Sequence, residues 1–121
     1  MAATAAAVLL GRGRAAFAGR NAESGSDVFL QAYAAVFSDP RSAVAIGQRY
    51  LALHPAEADV ERLKASLFDG LDVARTAALR ARLAEGRRRD FASGRTVIVD
   101  GWILARTELR ACALLTLLPQ A

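Results

Sequence analysis

The sequence predicts a mainly α protein: a compact bundle of about five helices with one short β-hairpin before the last helix. Three observations carry that reading. Apolar residues recur at three- and four-residue spacing through most of the chain, the pattern of a helix with one buried face. The breaks Asp39-Pro40 and His54-Pro55 place proline where a helix restarts and a missing N–H costs nothing. Asp100-Gly101 sits between the runs Thr96-Val97-Ile98-Val99 and Trp102-Ile103-Leu104, the strongest short-range hairpin signal.

Taken in order, Asp27 suits the cap of a helix running to about Phe37, with Phe29, Tyr33, Val36 and Phe37 on one face. Asp39 and Pro40 open a second helix that runs to about Leu53. Val44, Gly47 and Leu51 share its buried stripe and Tyr50 lies on the flank. Gly47 in mid-helix costs about 1 kcal/mol against alanine, and a close neighbouring helix is the expected compensation. Pro55 opens a third helix, with Glu57 in its first turn, a stripe of Val60, Leu63 and Leu67, and Gly70 at its end. Asp72 caps a fourth, through Leu79 and Leu83, ending at Gly86 or continuing to about Phe91. After the hairpin, residues 105–118 form a mostly buried helix around Leu109, Cys112, Ala113 and Leu117. Ala105 and Glu108 there have capping-box spacing, with alanine in place of serine or threonine, and Thr107 is an alternative cap.

Composition excludes much chemistry. The chain has 121 residues, 16 basic and 12 acidic, for a formal charge of +4. That is one domain's worth of chain, too apolar to be disordered throughout and too charged for a multi-span membrane protein. The single Cys112 rules out an intramolecular disulfide and a thiolate zinc cage, and the single His54 rules out a multi-histidine metal site. Lys64 is the only lysine. Most of the arginines are spaced among acids, so no clustered phosphate-tracking face emerges and no nucleic-acid partner is expected.

Residues 1–18 read as a separate signal-like or disordered segment, and 19–26 as a polar linker to a single helical domain over 27–121. The start, M-A-A-T-A-A-A-V-L-L, is small, apolar and uncharged, and too short to span a bilayer. Ala16-Phe17-Ala18 fits the small-x-small pattern of signal cleavage, with Ala16 and Ala18 as the recognised residues. A charged region ahead of the apolar run is missing, so a true start upstream of Met1 is one expectation. Arg12 and Arg14, between the apolar run and the cleavage site, are common in twin-arginine signals, which carry folded proteins. The competing reading is a frayed, alanine-rich helix or tail.

Residues 90–108, D-F-A-S-G-R-T-V-I-V-D-G-W-I-L-A-R-T-E, resemble the C-terminal segment of small exported bacterial proteins. Some of these are similar to accessory subunits secreted by the twin-arginine route beside a larger oxidoreductase. The chain departs from that pattern at Ala105, where serine is expected, and lacks the paired arginines themselves. The resemblance implies a periplasmic, non-catalytic small subunit that binds a larger redox enzyme and helps export or stabilise it. The alternative is a cytoplasmic helical interaction or regulatory module.

Candidate chemistry is thin, and no catalytic, cofactor or metal residues are assigned. Gly11-Arg12-Gly13 precedes no strand–helix unit and lacks a third glycine. His54 reads as a helix-boundary residue and Cys112 as a small buried hydrophobe. Asp90 and Asp100 have the option of meeting as a carboxylate pair, although turn chemistry already accounts for Asp100. Partner-binding candidates are Trp102, with Arg95 and Arg106 as polar neighbours, and the run Arg87, Arg88 and Arg89, which otherwise serves the negative end of the helix dipole. Alternation puts Trp102 and Leu104 on one strand face. The ring is expected to pack over the helices; if exposed, it becomes the anchor of an interface.

Overall fold

The computed structural model of the protein describes residues 20–119, so the signal-like start with Ala16 and Ala18 lies outside the described residues. Five helices and one hairpin follow in the predicted order: α1 (Arg20–Ala34), α2 (Pro40–Leu53), α3 (Val60–Phe68), α4 (Thr76–Ser93), β1 (Thr96–Val99), β2 (Trp102–Ala105) and α5 (Arg106–Leu117). The mainly α class and the hairpin before the last helix are as the sequence predicts. Among the described residues no helix is long and apolar enough to cross a membrane.

The element boundaries differ from expectation at the starts of α1, α3 and α4. Helix α1 already runs from Arg20, so Asp27 lies inside it rather than at its cap, and the stretch expected as a linker is helical from residue 20. Pro55 opens only a single 3₁₀ turn, Pro55–Glu57, because Asp59 offers a better cap: its Oδ1 accepts from the Arg62 N–H at 3.1 Å and starts α3 afresh. Asp72 caps a turn through the Ala74 N–H, and α4 starts four residues later at Thr76. Helix α4 takes the longer of its two expected courses, past Gly86 to Ser93, and closes on Gly94 in a left-handed conformation, φ 76°. The device at Asp39-Pro40 forms as predicted, with Asp39 accepting from both Ser42 N and Ser42 Oγ.

Packing is organised around α5. Leu109, Ala111, Ala113, Leu114 and Leu115 are all buried, so the helix is covered on most of its circumference. Its most extensive neighbour is α2, with α3 and α4 on other sides. The α2 stripe runs through Ala43, Gly47 and Tyr50, so Tyr50 is at the centre of the contact rather than on its flank. Gly47 explains the intimacy. A Cβ there would collide with the Cys112 carbonyl and the Thr116 hydroxyl, so only glycine lets the two backbones approach this closely.

The α1 side of the core is aromatic. Phe29 stacks on Tyr33 at 5.3 Å between ring centroids, and Phe37 and Phe68 meet Tyr33 edge-on at 5.2 and 5.6 Å. The Tyr33 hydroxyl, fully buried, donates to the Ala111 carbonyl at 2.6 Å and ties α1 to α5. Thr76 and Arg80 on α4 donate to the Ala32 and Ala35 carbonyls, satisfying the end of α1 from a neighbouring helix.

Candidate docking hairpin

The hairpin begins with a turn the sequence dictates. Asp100 at φ 52° and Gly101 at φ 84° both occupy the left-handed region, as a two-residue turn matching the strand twist requires. The pairing is antiparallel, Thr96 with Ala105, Val97 with Leu104, Ile98 with Ile103 and Val99 with Trp102. Two short strands do not survive alone in water. These are held at one end by burial of Val99, where β1 leans on α2, and at the other by a polar lock.

That lock is built on Asp90, the one buried charged residue among those described. Asp90 Oδ2 accepts from the Thr107 backbone N–H at 2.6 Å, and Oδ1 from Arg95 Nε at 3.2 Å. Thr107 is in the first turn of α5, whose N-cap, Ala105, has no side-chain acceptor. Asp90 therefore supplies from α4 the cap that α5 lacks in its own sequence. Glu108 contributes the predicted reciprocal half by accepting from the Ala105 N–H at 3.0 Å. Thr107 itself is not the cap; it packs over Gly86, where a Cβ would come within 2.7 Å of its hydroxyl. Burial alone would raise the Asp90 carboxyl, but the Thr107 and Arg95 hydrogen bonds outweigh it and hold the group below its ordinary value.

The outward side of this anchored hairpin is apolar. Ile98 and Ile103, directly paired across the strands, are 66% and 59% exposed on this side, and Trp102, on the face it shares with Val99, is 71% exposed. The expectation that Trp102 packs over the helices is corrected. Its partner Val99 takes the place against α2, and β2 rests on α4 and α5 further along, leaving the ring uncovered. An uncovered side chain of this size forgoes roughly 2–3 kcal/mol of burial free energy. The hairpin therefore leaves apolar side chains uncovered on both faces, the pair Ile98 and Ile103 on one and Trp102 on the other.

The charged candidates differ in their surroundings. Arg95 stands at the foot of β1 and is half-exposed beyond its bond to Asp90. Arg87 reaches Glu108 at 3.8 Å, and Arg89 pairs with Glu85 one turn away at 3.6 Å. Arg88 is exposed and makes no ion pair among the described residues. Arg106 does not belong to an exposed cluster: its side chain is half-buried, its Nε is shielded without a partner, and its charge acts on Glu57 and Tyr50. At the tip, Arg49 from α2 pairs with Asp100 at 3.3 Å, a contact to the hairpin that the sequence reading missed.

Asp90 and Asp100 each hold their own partners and make no contact with one another. His54 ends α2 and lies 4.7 Å from the Tyr50 ring, as a boundary residue should. Cys112 is half-buried, and burial followed by the Glu108 charge pushes its thiol up to about 12, so it is a thiol rather than a nucleophilic thiolate at neutral pH. Glu57 leaves the helix start where it was expected and grips Arg110 instead, Oε1 to Nε at 3.0 Å and Oε2 to Nη2 at 3.2 Å. This forked pair beside the buried Tyr50 was not legible locally, since its members are 53 residues apart. An open groove of about 330 Å³ between α3, α4 and α5 is lined mainly by Arg82, Glu85, Arg89 and Ser66. Among the described residues no three metal-ligating side chains gather.

Comparison with protein families, curated proteins and solved structures finds no match to this chain.

Proposed function

We propose that the protein is a non-catalytic accessory subunit, exported to the periplasm, that binds a larger redox enzyme and assists its export or stability, with the hairpin as its docking element. The exposed Trp102, held on a hairpin fixed at both ends, is the observation that carries this reading. Tryptophan and arginine dominate the energetics of protein interfaces, and a rigid anchor loses little entropy when it docks. The signal-like start and the resemblance over residues 90–108 supply the exported setting and the redox partner.

The test is a tagged full chain expressed in its own host and isolated from separated cell fractions. The expected result is a stoichiometric complex with a larger flavin-, haem- or quinone-linked enzyme in the periplasmic fraction, lost on Trp102→Ala while the isolated variant keeps its melting temperature. Recovery only from the cytoplasm, bound to a regulator or to no larger enzyme, would overturn it.

A further inference from the structure

We propose that the groove between α3, α4 and α5 binds a small organic oxyanion, a carboxylate or phosphate compound, held chiefly by Arg82. The site is separate from the docking hairpin and its occupancy does not depend on it. The groove holds about 330 Å³, at the lower end of the roughly 300–1,000 Å³ of small-molecule sites. Arg82, Glu85 and Arg89 follow one another along α4 at three- and four-residue spacing, so one face of that helix supplies the charged wall. Ser66 and Leu67 come from α3, and Gly86 contributes backbone and no side chain.

Unused donors dominate this wall. Among the described residues Arg82 forms no ion pair. Its one hydrogen bond, from Nη1 to the Asp69 carbonyl at 3.2 Å, ties the guanidinium to the end of α3 and leaves Nε and Nη2 without a partner in the chain. Fixed there and only partly exposed, the side chain loses little freedom on binding. Arg89 meets Glu85 at 3.6 Å with both side chains more than half exposed and no hydrogen bond between them, a contact worth little in water. The Ser66 hydroxyl makes only a long bond, 3.5 Å, to the Leu63 carbonyl. Two guanidiniums against one carboxylate leave the groove one positive charge in excess. The complement of that lining is an anion with several acceptor oxygens, which a guanidinium matches with two parallel hydrogen bonds. Leu67 beside the arginines gives the carbon part of an organic anion a surface that a bare inorganic ion does not use. Glu85 alone opposes the anion, and its loose contact lets it turn away as Arg89 takes up the ligand.

The experiment titrates the full chain with citrate and, separately, with inorganic phosphate at constant ionic strength, and follows the backbone amides by two-dimensional NMR. The expected result is saturable shifts confined to residues 66–67, 82–89 and 107, with citrate bound more tightly than phosphate. Arg82→Gln should lower the citrate affinity about tenfold, as loss of a charge-assisted hydrogen bond does. Glu85→Gln should raise it about threefold, the worth of removing one exposed like charge. Both variants should keep the wild-type spectrum outside the groove. If Arg82→Gln does not fold, Arg89→Gln takes its place with the same expected direction. Shifts that never saturate, or that spread over all the exposed arginines, overturn the site. Saturable binding that the arginine variants leave unchanged, or that Glu85→Gln weakens, overturns it as well.

Discussion

Tyr33 and Trp102 stand at opposite ends of the exposure scale, 0% and 71%, although each sits among aromatic or β-branched neighbours. Around Tyr33 every contact is reciprocal. Phe29, Phe37 and Phe68 surround the ring, and its hydroxyl finds the Ala111 carbonyl. Around Trp102 the reciprocal partner is missing: Val99, on the same face, is buried while the ring stays uncovered. The two regions show that local hydrophobicity sets how much apolar surface a segment must cover, while the arrangement of neighbouring elements decides whether it is covered within the chain. The first region is closed within the chain and the second is left exposed.

The comparison breaks most sharply at Tyr33. Tyr33→Ala removes the ring at the centre of the aromatic corner together with its hydroxyl bond to the Ala111 carbonyl of the central helix. It should cost about 3–5 kcal/mol in urea unfolding. Tyr33→Phe isolates the hydroxyl and should cost about 1–2 kcal/mol.

Asp90→Ala comes next, at about 2–3 kcal/mol, because it uncaps α5 and leaves Arg95 without its buried partner. Asp90 also makes stability depend on pH in one direction. Its folded-state carboxyl lies below the ordinary value of 3.8, so its contribution is complete above that value and is lost as pH falls through the depressed one. Thermal melts of the wild type should decline between about pH 4 and pH 2 more steeply than those of Asp90→Asn. Equal slopes would show that the carboxylate is not what locks the hairpin.

Gly101→Val forces a β-branched residue to a φ of 84° and should cost roughly 1–3 kcal/mol, read as a lower urea midpoint with an unchanged slope. The smallest effect is expected at the most conspicuous residue. Trp102→Ala should change the stability of the isolated chain by no more than about 0.5 kcal/mol, as for other surface positions. A larger loss would mean that the ring is covered within the chain and would remove the contrast with Tyr33.

Much of the architecture was legible because its signals are local. Asp39-Pro40, the apolar spacing of α1 to α5 and the Asp100-Gly101 turn each act within a few residues. Gly47 was legible as a close approach, although not its partner, which lies on α5. The candidate site was legible only in part. Alternation places Trp102 and Val99 on a common face but carries no information about which of the two a helix will cover. Asp90 as the cap of α5 was hidden for a similar reason. It is 17 residues from Thr107, and the bond exists only because α4 and α5 cross at Gly86 and Thr107. Asp59 was missed although its signal is local: an aspartate three residues ahead of Arg62 competes with Pro55 as a start, and the cap won.

The helix at the centre of the bundle follows, in the chain, the three helices packed on it, α2, α3 and α4, and α1, which Tyr33 ties to it. During synthesis α1 to α4 emerge with their apolar faces turned toward a partner that has not yet been made. Leu63, Leu67 and Leu79, and the aromatic corner tied to α5 through Tyr33, have no stable place to settle until residues 106–117 are available. Folding is therefore coupled to completion of the C-terminal part rather than proceeding with the growing chain. A ribosome-stalled chain ending at residue 100 should be degraded rapidly by added protease, whereas one that extends fully clear of the ribosome should resist it.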